Sequence, residues 1–100
     1  MNIYVDIDET ICYYEGDREY HLAKPNITNI NKINKLYNEG NKITYYTARG
    51  SVHQDRKDEY FHLTEYQLEE WGCKYHNLSV GEKPAYDLLI CDKTKRIEEI

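Results

Sequence analysis

The chain has 100 residues, 40 % of them apolar, which is enough for one small domain with a modest core. A formal net charge of −5 argues against charge-driven binding to nucleic acid or anionic membrane, and no apolar run approaches the ~18 residues of a membrane span. Cys12, Cys73 and Cys91 form neither a disulfide framework nor a CxxC knuckle, and the first residues lack a signal-peptide pattern, so a reducing cytoplasm is the expected location.

Residues 2–7, "NIYVDI", alternate Ile3, Val5 and Ile7 and predict a buried strand. From Asp8 to Lys24 the pattern dissolves around Gly16 into a polar, tyrosine-rich excursion, the size of a small hairpin. Pro25 and Asn26 then mark a helix start. Ile27, Ile30, Ile33 and Leu36/Tyr37 follow at helical spacing, and Gly40 supplies the stop. "KITYYT", 42–47, predicts a second strand, and "ARGSVHQ" a loop. Residues 55–71 predict a second helix, with Tyr60, Leu63, Tyr66/Gln67, Leu68 and Trp71 on or near one face and Gly72 at its end. "KYHNLSV", 74–80, predicts a third strand, "GEKP" a turn, and "AYDLLICD", 85–92, a fourth strand covered on both faces, with room for a short helix from Thr94. Alternation of this kind predicts an α/β fold over residues 1–100: a Rossmann-like parallel sheet of about four strands, flanked by helices and joined by right-handed crossovers.

On that scheme the polar residues converge. Asp6 and Asp8 end strand one, Thr47 and Arg49 end strand two, Lys83 precedes strand four, and Asp92 ends it. Ligands of open α/β sheets bind outside the carboxyl ends of the strands. Two aspartates one residue apart repel each other unless something positive sits between or beside them. Asp6, Asp8 and Asp92 form a hard-oxygen donor set suited to Mg²⁺. Thr47, Arg49 and Lys83 suit phosphate oxygens, Arg as a two-pronged fork and Lys as a point charge. One aspartate could attack phosphorus, and a second carboxyl two residues on could protonate the leaving oxygen and later activate water.

"DIDET", "TARG", "EKP" and "YDLLICDK", in this order, resemble the four motifs of the haloacid dehalogenase (HAD) superfamily of phosphatases, across nearly the whole chain. The pattern is most similar to small HAD proteins of capsule or polysaccharide biosynthesis. It is similar in lesser degree to the phosphatase domain of polynucleotide kinase/phosphatases. The resemblance implies a Mg²⁺-dependent phosphomonoester hydrolase working through an aspartyl-phosphate. Asp6 would be nucleophile and metal ligand. Asp8 would be general acid/base, with its main-chain carbonyl on the metal. Thr10 would steady the turn after strand one, Thr47 and Arg49 would hold phosphate, Lys83 would neutralise it, and Asp92 would complete the metal site. Two positions depart from the pattern: Glu9 stands where many relatives have Gly, and Cys91 where small relatives carry an acid, with Asp87 as a more remote acid.

HAD enzymes commonly insert a cap domain after the first strand or after the second helix. Here the first gap holds only the excursion, and the second, Trp71 to Lys74, is a bare turn, so no cap is expected. An uncovered site leaves selectivity to the flap, with Tyr13, Tyr14 and Tyr20 facing the leaving group, or to a second subunit of a homo-oligomer. The expected partner is a phosphorylated small molecule, with a sugar phosphate first and a nucleotide or nucleic-acid end second. Two other readings stand beside the hydrolase: a receiver-like phospho-acceptor module, which would need an acid at the end of strand three where "YHNLSVG" has none, and a non-catalytic binder of phosphorylated ligands. His21, His53, His62 and His76 have no metal-ligand spacing; His53, after "TARG", is the one placed to touch substrate.

Overall fold

The computed structural model describes residues 1–49, 56–81 and, for the backbone, 88–90. Strand β1 (Asn2–Asp6) lies centrally between β4 (Lys42–Thr47) and β6 (Leu88–Ile90), and β5 (Asn77–Val80) pairs with the outer edge of β4. All three pairings are parallel, so the described sheet has the order β5-β4-β1-β6. Helix α1 (Ile27–Asn38) connects to β4 and packs on it, and α2 (Lys57–Glu70) packs on β5. The expected α/β domain with a parallel sheet flanked by helices is therefore present.

The period-two alternation of β1 decides the core. Ile3, Val5 and Ile7 are buried, and Ile30 and Ile33 of α1, Ile43 and Tyr45 of β4 and Leu68 of α2 join them in one cluster. Helix α1 begins where the Asn26 side chain accepts a hydrogen bond from the Asn29 N–H at 3.1 Å, a cap that satisfies one of the orphan amides of the first turn. Pro25, expected at the helix edge, belongs instead to a two-residue strand. Ile27, expected in the apolar stripe, is 53 % exposed, because the first helical residue lies ahead of the turn that meets the sheet. Tyr66 likewise points outward, and Trp71 is only half-buried. Gly40 and Gly72 take φ of +96° and +72°, the left-handed geometry that ends both helices at the expected positions.

Strand three is shorter than expected, for a local reason. His76 donates its backbone N–H to the Ile43 carbonyl at 2.9 Å and accepts the Ile43 N–H on its own ring Nδ1 at 3.1 Å. A side chain thus replaces the backbone rung, and regular pairing starts only at Asn77.

The excursion after β1 is a small flap. Its strands β2 (Cys12–Tyr13) and β3 (Lys24–Pro25) pair antiparallel, and a 3₁₀ turn spans Tyr20–Leu22. Between α2 and β5 lie only residues 71–76. Neither gap holds an inserted domain. No helix among the described residues is long and apolar enough to cross a membrane.

Candidate active site

Parallel pairing aligns Asp6 with Tyr46, and the ladder runs one step further through the Ile7 N–H to the Tyr46 carbonyl at 3.2 Å. That register carries Asp8 alongside Thr47 and Arg49 just beyond the carboxyl ends of β1 and β4. Asp6, Asp8, Glu9, Thr47 and Arg49, joined from the flap by Arg18 and Tyr20, line a cavity of about 200 Å³. The position is the one where open α/β sheets bind ligands.

The turn leaving β1 is tight. The amides of Thr10 and Ile11 both donate to the Ile7 carbonyl, at 3.2 and 3.1 Å. Glu9 adopts φ +65° to make this possible, a left-handed conformation that an L side chain occupies at a cost. Thr10 is buried, and its carbonyl accepts the Asn29 side-chain amide at 2.9 Å, tying the turn to α1.

Asp8 is the most heavily engaged group. Its Oδ1 accepts from Arg49 NH2 at 2.7 Å and from the Tyr14 hydroxyl at 2.5 Å; its Oδ2 accepts from Arg49 Nε at 3.1 Å and from the Thr47 hydroxyl at 3.2 Å. Thr47 Oγ1 in turn accepts the Arg49 backbone N–H at 3.1 Å. Arg49 is only 1 % exposed, and its remaining guanidinium nitrogen donates to Thr64 at 3.2 Å and to Gln67 Oε1 at 2.6 Å, both on α2. The guanidinium also lies 4.8 Å from the centre of the Tyr20 ring. Gln67 completes a bridge: its Nε2 donates to the Tyr20 carbonyl at 2.6 Å, so one buried amide joins the flap to Arg49.

These contacts set the protonation states. Burial pushes the Asp8 carboxyl upward, but the Arg49 guanidinium, the Tyr14 hydroxyl and nearby Arg18 outweigh it, and the net result lies below the ordinary carboxylate value. Arg49 is raised: burial alone would lower it, and Asp8 outweighs that. Cys12, with Sγ 3.6 Å from Asp8 Oδ1, is pushed up to about 12, first by burial and then by the Asp8 charge. Burial and Asp8 also raise the Tyr14 phenol, so it stays a proton donor. The site therefore holds Asp8 as an ionised carboxylate, walled by neutral or cationic donors.

The structure brings together Asp6, Asp8, Thr47 and Arg49, and places Thr10 in the supporting turn. Arg49 lines the cavity as expected, and its guanidinium also grips Asp8, a contact the sequence did not suggest. Lys83, Asp92, Cys91, Asp87 and His53 lie outside the described residues. Among the described residues no group of three His, Cys, Asp or Glu could hold a metal ion. Both Asp8 carboxylate oxygens already accept two hydrogen bonds each from oxygen and nitrogen donors, so that side chain does not fit a ligand role as it stands; Asp6 is half-buried and lines the cavity, where a hard oxygen donor suits a hard cation. Thr64 and Gln67 escape a reading of the sequence because both sit on the apolar face of α2 among Leu and aromatic residues. Two polar side chains three residues apart on a buried helical face were the available signal.

No protein-family model matches the chain, and no curated protein matches it. The fold is similar to that of an MCSG target from Vibrio cholerae known from its crystal structure, with a TM-score of 0.76 over 98 % of this chain and 85 % of that one, at 20 % sequence identity. Likeness at that identity shows a shared fold alone.

Proposed function

We propose that the chain is a Mg²⁺-dependent phosphomonoester hydrolase of the HAD type, with Asp6 as nucleophile. The observation that carries the reading is that two carboxylates at the end of the central strand line one cavity beyond the carboxyl ends of β1 and β4. Asp8 is pinned by Arg49, Thr47 and Tyr14, while Asp6 borders the cavity.

Asp6 attacks phosphorus, the ester oxygen departs with its electron pair, and the phosphoryl group rests on the Asp6 carboxylate. Water then attacks that aspartyl-phosphate, and Asp8 accepts the water proton as the P–O bond to Asp6 breaks. A carboxylate held ionised can take that proton once one of its four hydrogen bonds is released. It is a poor proton donor in the first half, so departure of a reluctant alkoxide is the harder step. Glu9 beside the cavity adds a negative side chain that opposes an incoming phosphate dianion.

Mg²⁺ would be held by the Asp6 carboxylate and the Asp8 main-chain carbonyl, with Asp92 the further ligand that the motif resemblance supplies. Bound there, a hard cation offsets the repulsion between anionic nucleophile and anionic substrate. By the same resemblance Thr47 and Lys83 would position phosphate oxygens, Thr47 by turning its hydroxyl from Asp8 to the phosphate. The phospho-acceptor alternative draws no support from β5, whose residues Asn77–Val80 include no acid.

The test is phosphate release from a generic aryl phosphate, with and without Mg²⁺. Steady turnover that chelator abolishes supports the proposal; a long-lived phosphoprotein without release, or binding without either, contradicts it.

A further inference from the structure

The flap residues Arg18 and Tyr20 have two exposures to the surroundings. They close one side of the cavity at Asp6, and they also line a second, larger cleft of about 400 Å³ that continues outward between the flap and α2. Tyr60, Leu63 and Arg56 form its far wall, with Glu19 and His21 at the flap edge. The two hollows share Arg18 and Tyr20, so the outer cleft adjoins the cavity that Asp6 lines.

The outer cleft combines aromatic surface with cations. Tyr20 and Tyr60 meet edge to face, ring centres 5.8 Å apart at 82°. The Tyr20 ring is held before any ligand arrives, by Arg49 at 4.8 Å from its centre and by the bond from Gln67 to its carbonyl. Arg56 lies 5.4 Å from the Tyr60 ring centre and pairs with Glu59 at 2.7 Å; Arg18 lies 5.6 Å from the Tyr14 ring centre. Glu19 approaches His21 at 3.6 Å. Two guanidiniums at one opening stand out on a chain of net charge −5.

We infer that this cleft is the leaving-group subsite and that it takes a nucleotide bearing a second phosphate: the base against Tyr20, Tyr60 and Leu63, the second phosphate on Arg18 and Arg56. This rests on the phosphatase reading and moves its substrate from sugar phosphate to nucleotide. A neutral sugar would use neither guanidinium, whereas a base has the flat π-face that aromatic and guanidinium groups stack on. A phosphate fits the two-pronged donor geometry of arginine. The strongly negative chain and the size of the cleft favour a single nucleotide over a long strand.

The experiment compares kcat/KM for adenosine 3′,5′-bisphosphate, glucose 6-phosphate and a short oligonucleotide with a terminal phosphate, in the wild type, Arg56→Gln and Tyr60→Leu. Of the two hollows, Arg56 and Tyr60 line the outer cleft and not the cavity at Asp6. The expected result is a preference of tenfold or more for the bisphosphate over the sugar phosphate, with that ratio falling about tenfold in each variant. A preference for the oligonucleotide with the same Arg56 dependence supports the cleft chemistry and assigns a strand end as its source. Preference for glucose 6-phosphate, or an unchanged ratio in both variants, overturns the inference. Calorimetric titration of Asp6→Asn with the bisphosphate separates the two readings. Arg56-dependent binding to Asp6→Asn, together with a wild type that hydrolyses none of the esters, removes the hydrolase and leaves the subsite; hydrolysis by the wild type with no Arg56 dependence of rate or binding removes the subsite and leaves the hydrolase.

Discussion

Arg49 grips Asp8 with two prongs, Nε to Oδ2 at 3.1 Å and NH2 to Oδ1 at 2.7 Å, and both side chains are buried at the cavity wall. Removing one partner of such a pair strands the other in a poorly solvated site. Arg49→Gln is expected to destabilise the fold by about 3–5 kcal/mol. Arg49→Lys should recover only part of this, because an ammonium cannot reach both oxygens and the α2 side chains together. Urea unfolding of the two variants checks it; a loss under about 1 kcal/mol in Arg49→Gln would mean that the pair contributes little.

The same pair fixes a pH dependence. Asp8 titrates lower in the folded chain than in the unfolded one, whose ordinary value is 3.8. The unfolded state therefore binds the proton first as pH falls. The stability that Asp8 contributes is present in full above the unfolded value and is lost as pH drops through the folded one. Wild type should thus lose more stability than Asp8→Asn between neutral pH and the region below 3.8. Parallel stability–pH curves for the two proteins would contradict this.

Glu9 occupies φ +65° at the edge of the cavity. Relief of left-handed strain gains about 1–2 kcal/mol, and the greater freedom of glycine in the unfolded chain takes back about 0.4–1 kcal/mol. Glu9→Gly should therefore be neutral or slightly stabilising in a denaturant titration, unlike most replacements by glycine. Removing the charge should also lower KM for a phosphate dianion. A clear loss of stability, or a raised KM, would count against this account of the turn.

Gln67 links Tyr20 of the flap to Arg49 through two hydrogen bonds of 2.6 Å each. Gln67→Leu keeps the bulk but leaves the Tyr20 carbonyl and one Arg49 N–H without that partner, at a cost of about 1–3 kcal/mol. The flap should then be cut faster by protease within residues 8–24, and KM for large esters should rise more than kcat falls. Unchanged cleavage with unchanged KM would show that the bridge does not hold the flap.

The strands, both helix stops and the convergence of Asp6, Asp8, Thr47 and Arg49 were legible because they depend on local periodicity and on strand ends. The three-residue spacing of Ile27, Ile30 and Ile33 marked α1, yet could not tell that Ile27 precedes the packed turn. What Arg49 touches was not legible. Its partners Thr64 and Gln67 are 15 and 18 residues away, and only the docking of α2 brings them near. Tyr14 was readable as a flap residue, but not as the donor to Asp8, because that contact depends on how the flap folds back over the end of β1. The shortened β5 has the same origin: a histidine ring substituting for a backbone acceptor leaves no trace in an alternation pattern.

The central claim is that Asp6, not Asp8, forms the bond to phosphorus. Phosphate release from an aryl phosphate in the presence of Mg²⁺, measured on Asp6→Asn freed of host phosphatases, tests it most directly. An amide is a poor nucleophile toward phosphorus and carries no charge to share with a cation, so release should fall to background. Asp8→Asn, measured alongside, should retain a residual rate about 10²–10⁴-fold below wild type, the usual worth of a positioned acid or base. Turnover at the wild-type rate in Asp6→Asn would contradict the account.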